Sequence, residues 1–361
     1  MAHTEKIEKK RFMQFMFKPT LACNLACRYC HIHSSRDKEN FIISLNQAKE
    51  VFDWILAYCQ SGGVNQVDIL WHGGEPLLIK TDLMLDIIEY YSELFSRYNI
   101  AVSNSIQTNL LLFNNLHVPI IRKYFDNTVG FSFDCNSTDR CYRDGRDASA
   151  DIWQKALQLK TLGVNLGAIT QITKDNYSRI DEIYQKFKQS GISFKFSRIR
   201  ETDIFKEELH DDEYIEAVTK LFVRWVEDSP QTIMISNFVE YLNMLLGGRY
   251  SSCCFQKDCN ILSFTSDGSI FFCDRSFPVG TVGNIHKDTP SQVKSNVIKS
   301  IKQGNTEPKE CNECKYRQIC NSGCLYNRIS GWHRQECYSF FNIMEFISGY
   351  LENMGYNVKY R

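Results

Sequence analysis

The chain lacks an excess of either charge. Over 361 residues, 42 Lys plus Arg face 42 Asp plus Glu, so the formal net charge is zero. That argues against a polyanion such as DNA as the main partner, although a local basic patch would escape this count. Apolar runs long enough to cross a bilayer are also missing, and the opening MAHTEKIEKKR is charged rather than signal-like. A cytoplasmic protein with no membrane and no nucleic-acid partner is therefore expected. What remains is 43% hydrophobic and 13% aromatic, enough for one large core and a second small one, hence two domains.

Cysteine, by contrast, is abundant, with fifteen in the chain. In a reducing compartment an odd number gathered in CxxC-type groups suits metal ligation better than disulfides. Cys23, Cys27 and Cys30 stand in a CxxxCxxC run. Three thiolates on one short loop can hold three corners of a cuboidal iron–sulfur cluster and leave the fourth iron open to a ligand. Three ordinary buried thiols are one alternative. A zinc knuckle is another, with His31 or His33 as its fourth ligand.

Periodicity sets the frame around this loop. Strands are expected at Met13–Phe17, Val67–Trp71, Ala101–Gln107, Val129–Phe133, Val164–Ile172 and Phe194–Phe196, with helical stretches between them. Ser44 with Gln47 forms a capping-box pattern, and Gly191 stops the helix over Ile180–Lys188. Six β/α repeats imply an α/β fold of parallel strands, either a partial (β/α)6 TIM-like barrel or an open doubly wound sheet. Two helices are expected over Asp211–Gly247. From about Cys253 helical periodicity lapses until a closing helix around Phe340–Leu351. The expected division is 1–235 for the barrel and 236–361 for a bridging helix, a cysteine-rich domain and the closing helix.

The cysteine loop resembles the signature of the radical S-adenosylmethionine (SAM) enzymes, and later segments resemble that family in the right order. Gly73-Gly74-Glu75-Pro76 looks like its GGEP motif, Thr108-Asn109 like the polar end of the third strand, and Ser132 and Asp134 like the end of the fourth. The resemblance implies that SAM chelates the open iron and yields a 5′-deoxyadenosyl radical. It further implies that Tyr29 lines the adenine side, Ser132 hydrogen-bonds SAM and Arg143 meets its carboxylate. Two departures concern the local backbone: Leu110 and Cys135 stand where many relatives have glycine.

Near the C-terminus Cys253, Cys259, Cys273, Cys311, Cys314, Cys320, Cys324 and Cys337 resemble the SPASM extension, which binds two auxiliary 4Fe-4S clusters. By that resemblance Cys253, Cys259, Cys273 and Cys324 hold one and the other four hold the second, with Cys254 an alternative to Cys253. A zinc ribbon on Cys311, Cys314, Cys320 and Cys324 is the competing reading. Asp274 matches the position of the proposed general base in anaerobic sulfatase-maturating enzymes; a solvated turn carboxylate is the plainer interpretation. The layout implies SAM, three 4Fe-4S clusters, a reductant such as flavodoxin or ferredoxin, and a peptide or protein substrate. The reaction first expected is a C–C or thioether crosslink in a ribosomal peptide; the alternative is oxidation of Ser or Cys to formylglycine. The short stretch before Cys23 leads to the expectation that no winged-helix leader-binding domain is appended, which slightly favours the second. An electron carrier or zinc module is the remaining class.

Overall fold

A computed structural model of the chain describes residues 11–32, 41–199, 207–228, 230–248, 253–255, 259–277, 280–304 and 307–360. Strands β1 (Phe12–Phe17), β2 (Gln66–Trp71), β3 (Ala101–Thr108), β4 (Thr128–Ser132), β5 (Asn165–Ile172) and β6 (Ser193–Arg198) alternate with helices α1 (Leu45–Gly62), α2 (Thr81–Arg97), α3 (His117–Tyr124), α4 (Ser149–Thr161) and α5 (Ile180–Ser190). Each strand pairs in parallel with its neighbour. The sheet is open, and these six strands lie in it in the order β6-β5-β4-β3-β2-β1. Ser44 caps α1 through the capping box, and Gly63 closes it in the left-handed conformation at φ 61°.

The two faces of the sheet differ in chemistry because side chains alternate along each strand. On one face Phe15, Phe17 and Trp71 pack under α1 and α2; Phe17 meets Phe52 at 5.0 Å and Trp71 at 5.1 Å between ring centroids. On the other, Asp68 accepts from Gln14 at 2.9 Å and Ser105 at 2.8 Å, and Gln107 donates to Ser132 at 2.9 Å. Helices α1 and α2 cover the apolar face, and the polar face leads to the carboxyl ends of the strands, where open α/β sheets bind ligands.

Past β6 come α6 (Asp211–Glu227) and α7 (Ser236–Leu246), and then the chain returns to the same sheet. Strand β7 (Ile261–Phe264) lies parallel to β1, and β8 (Ser269–Phe271) and β9 (Thr281–Asn284) extend it antiparallel. The expectation that helical periodicity lapses after Cys253 is corrected by α8 (Pro290–Gly304), which buries Val293 and Val297 and opens on a Thr289–Gln292 hydrogen-bond pair. Its N-terminal approach is anchored on α1, where Trp54 donates to the Asp288 carbonyl at 2.9 Å. Short helices α9 (Arg317–Cys320) and α10 (Leu325–Ser330) precede the closing α11 (His333–Asn353), whose Phe346 and Tyr350 pack on Phe222 of α6.

Candidate active site at the carboxyl ends of the strands

Asp274, in the turn after β8, stands at the mouth of the sheet. Lys18, next after β1, is fully buried and places its ammonium 2.6 Å from Asp274 Oδ1 and 4.4 Å from the centre of the Phe277 ring. His31, next after Cys30, brings Nε2 to 3.4 Å from Asp274 Oδ2, and His72, next after β2, brings Nδ1 to 4.0 Å from Oδ1. Burial opposes ionisation of Asp274, but the Lys18 ammonium and the two imidazoles outweigh it and hold the carboxyl well below the usual carboxylate range. Burial pulls the His72 imidazole down more than Asp274 lifts it. The group is thus an ionised carboxylate at neutral pH, clamped by a buried cation.

The cysteine loop lies against this group. Leu21, Ile32, Phe271 and Phe277 form a small apolar cluster with Cys30 packed on it, seating the loop on the turn that carries Asp274. Cys23 Sγ faces the Leu25 N–H at 3.4 Å and Asn109 Nδ2 at 3.8 Å, and Cys27 Sγ faces Arg140 Nη1 at 3.7 Å. An N–H aimed at sulfur is the contact that a cluster-bound thiolate accepts, so these sulfurs suit an iron–sulfur cluster. Among the described residues no three His, Cys, Asp or Glu side chains close on a single metal ion. A cuboidal cluster spreads its thiolates more widely, since each binds a different iron.

The other expected SAM residues have definite partners. Tyr29 donates its hydroxyl to Asp134 Oδ2 and receives Arg140 Nη2 at 2.5 Å; burial, with Asp134 beside it, keeps this phenol protonated far above its ordinary range despite the opposing guanidinium. Asp134 also accepts from the Gln171 N–H at 2.8 Å. Arg143 reaches the Cys23 carbonyl at 2.9 Å, so in this structure it braces the cysteine loop. Glu75 is fully buried and accepts from Thr108 Oγ1 at 2.6 Å, Leu77 N–H at 3.0 Å and Asn109 N–H at 2.8 Å, tying the Gly-Gly-Glu-Pro turn to the end of β3. Gly73, at φ 124°, and Gly74 lie on the backbone of residues 20–22: a Cβ on Gly74 would stand 2.1 Å from the Ala22 carbonyl oxygen. Leu110 adopts φ 66°, a left-handed conformation costly for leucine, and is completely buried. Cys135 is buried against α5, among Lys186, Arg179 and Glu182.

The distal thiols gather in two groups. Cys259 lies near both Cys254 and Cys273, and Cys324 lies beside Cys254. Cys311, Cys314, Cys320 and Cys337 form the second. The side chain of Cys253 lies outside the described residues, as does His33.

Lys18, His72 and Arg140 lie outside the motifs legible in the sequence, and His31 enters there only as an alternative zinc ligand. Three of them share one legible signal, a charged or titratable side chain one residue past a strand or a ligand cysteine. The fourth, Arg140, had none.

The loop of Cys23, Cys27 and Cys30 follows the carboxyl end of β1 in an open parallel sheet, and residues 17–187 match the family described as Radical SAM superfamily. The chain carries a radical SAM domain. Across nearly its whole length it is similar to the cysteine-type anaerobic sulfatase-maturating enzyme of Clostridium perfringens, with 25% identity over 96% of this chain and 99% of the relative. The serine-type enzyme of Klebsiella aerogenes is 22% identical over 89% of this chain and 82% of its own. The solved structure of native anSMEcpe with bound AdoMet shares the fold at a TM-score of 0.80, 22% identity and coverage of 95% and 99% of the two chains. Streptococcus suis SuiB bound to precursor peptide SuiA shares it at 0.61, with 18% identity and coverage of 86% and 71%.

Proposed function

We propose that this chain is a radical SAM maturase that oxidises a residue of a peptide or protein, with a partial-barrel domain and a SPASM-type region. Cys23, Cys27 and Cys30 would hold the SAM-binding cluster. Cys259, Cys273 and Cys324 with Cys253 or Cys254, and Cys311, Cys314, Cys320 and Cys337, would hold two auxiliary clusters. Bound SAM and its cluster supply a 5′-deoxyadenosyl radical able to take a hydrogen atom from an unactivated carbon. The chain's own part is to place the target residue over Asp274 and to remove the proton that oxidation releases. Asp274 Oδ2, on the His31 side, is the acceptor, because Lys18 occupies Oδ1.

The observation that carries this reading is Asp274 itself, held at the cysteine loop by Lys18 and His31 while its neighbour Cys273 belongs to a distal thiol group. Base and electron acceptor are then adjacent. Similarity from end to end with sulfatase-maturating enzymes fits formylglycine formation, the alternative to a crosslink. The crosslink reading keeps the fold shared with SuiB, which is solved with its precursor peptide. The test is anaerobic reconstitution with iron and sulfide, then dithionite, SAM and candidate peptides. A hydrazine-reactive aldehyde indicates formylglycine, whereas loss of two hydrogens with resistance to thiol alkylation indicates a crosslink. Absence of 5′-deoxyadenosine would sink both.

A further inference from the structure

Arg140 directs each of its three guanidinium nitrogens to a different partner. Nε donates to Asp134 Oδ2 at 3.2 Å, Nη2 to the Tyr29 hydroxyl at 2.5 Å, and Nη1 points at Cys27 Sγ at 3.7 Å. Its side chain is only 9% exposed and Asp134 is fully buried. Asp134 neutralises the guanidinium from the side away from the sulfur, so the positive edge of the pair is presented to Cys27. Tyr29 lies in the loop between Cys27 and Cys30 and ties that loop to the same pair. A planar, permanently charged fork can serve three partners at once; a lysine ammonium in the same space cannot.

We infer that Arg140 sets the reduction potential of the cluster on Cys23, Cys27 and Cys30 by holding a charged N–H on the Cys27 sulfur. The inference rests on the cluster reading under the proposed function. Reduction adds negative charge to the cluster, and a fixed cation with a hydrogen bond to one of its sulfurs stabilises that added charge, which makes the cluster easier to reduce. Arg140 acts through Cys27 and is a positioning residue.

The test uses the full chain, reconstituted anaerobically with iron and sulfide, and reads the reduced fraction at fixed potentials from the EPR signal that changes when SAM is added. In Arg140→Gln the ratio of reduced to oxidised cluster at the wild-type midpoint should fall about tenfold, or about 59 mV for one electron. Arg140→Lys keeps the charge without the fork and should fall between the two; it also decides the question if the glutamine variant does not load. Tyr29→Phe cuts the loop's tether but leaves Nη1 on Cys27, and its ratio should stay within about twofold of wild type. Equal ratios in wild type and both Arg140 variants would overturn the inference. So would a shift in Tyr29→Phe as large as that in Arg140→Gln, since loop placement would then set the potential. If the wild type gave no SAM-responsive signal, the cluster reading would fail and take this inference with it.

Discussion

Replacing Lys18 by methionine keeps the stem volume and removes the charge from a site with no exposure to water. At 2.6 Å and an effective dielectric of about 20, the attraction to Asp274 is about 6 kcal/mol before desolvation is counted. Much of that gain offsets the cost of burying two ions, so the pair contributes little against an apolar substitute. Breaking it from one side is different, because an uncompensated charge is left inside and costs about 3–5 kcal/mol. Lys18→Met and Asp274→Asn should each destabilise by that amount, and the double variant should cost far less than their sum. Guanidinium unfolding under anaerobic conditions, at matched iron content, measures the cycle. Additivity within about 0.5 kcal/mol would refute the clamp. Asp274→Asn should also go on producing 5′-deoxyadenosine while yielding less modified peptide per 5′-deoxyadenosine formed, because only the later proton removal is affected.

Three further outcomes are expected. Gly74→Ala would drive a Cβ to 2.1 Å from one backbone oxygen and 2.4 Å from another, and should cost about 3 kcal/mol with loss of iron uptake, whereas Gly167→Ala, with open space around it, should stay within about 0.5 kcal/mol. His117 is buried and its imidazole is held below the ordinary histidine range by burial; its share of stability is therefore present above the unfolded value of about 6.5 and lost as pH falls through the lowered folded value, so the drop in denaturant midpoint between about pH 7.5 and 5 should shrink in His117→Leu. Cys314→Ala and Cys324→Ala should each lose about four iron atoms per chain, and the buried helical Cys59→Ala none; equal iron loss in all three would contradict the two distal sites.

The six parallel strands and their helices were legible because burial on one face imposes a two-residue period on strands and a 3.6-residue period on helices. Helix α8 is poorly legible although Val293, Val297 and Ile301 recur every four residues: it lies in a cysteine-rich region where turns and ligands dominate the pattern. The return of β7 to the side of β1 was illegible, since nothing in a four-residue apolar strand names the partner it pairs with. The same limit applied to individual residues. Gly74 and Glu75 could be singled out as a motif, yet their observed work is to pack against residues 20–22 and to tie down the end of β3, which only the close approach of three loops reveals.

The sequence by itself determined the chemistry available: thiolates at cluster spacing, a strand before them, and an acidic residue after a distal cysteine. These are local, set by covalent spacing and periodicity. Tertiary structure decided which groups meet. Lys18 and Asp274 are 256 positions apart in the chain and 2.6 Å apart in space, and Arg140 reaches Cys27 across 113 positions. Such contacts depend on strand order in the sheet and on the paths of loops above it. Those follow from the packing of the whole chain, not from any segment within it.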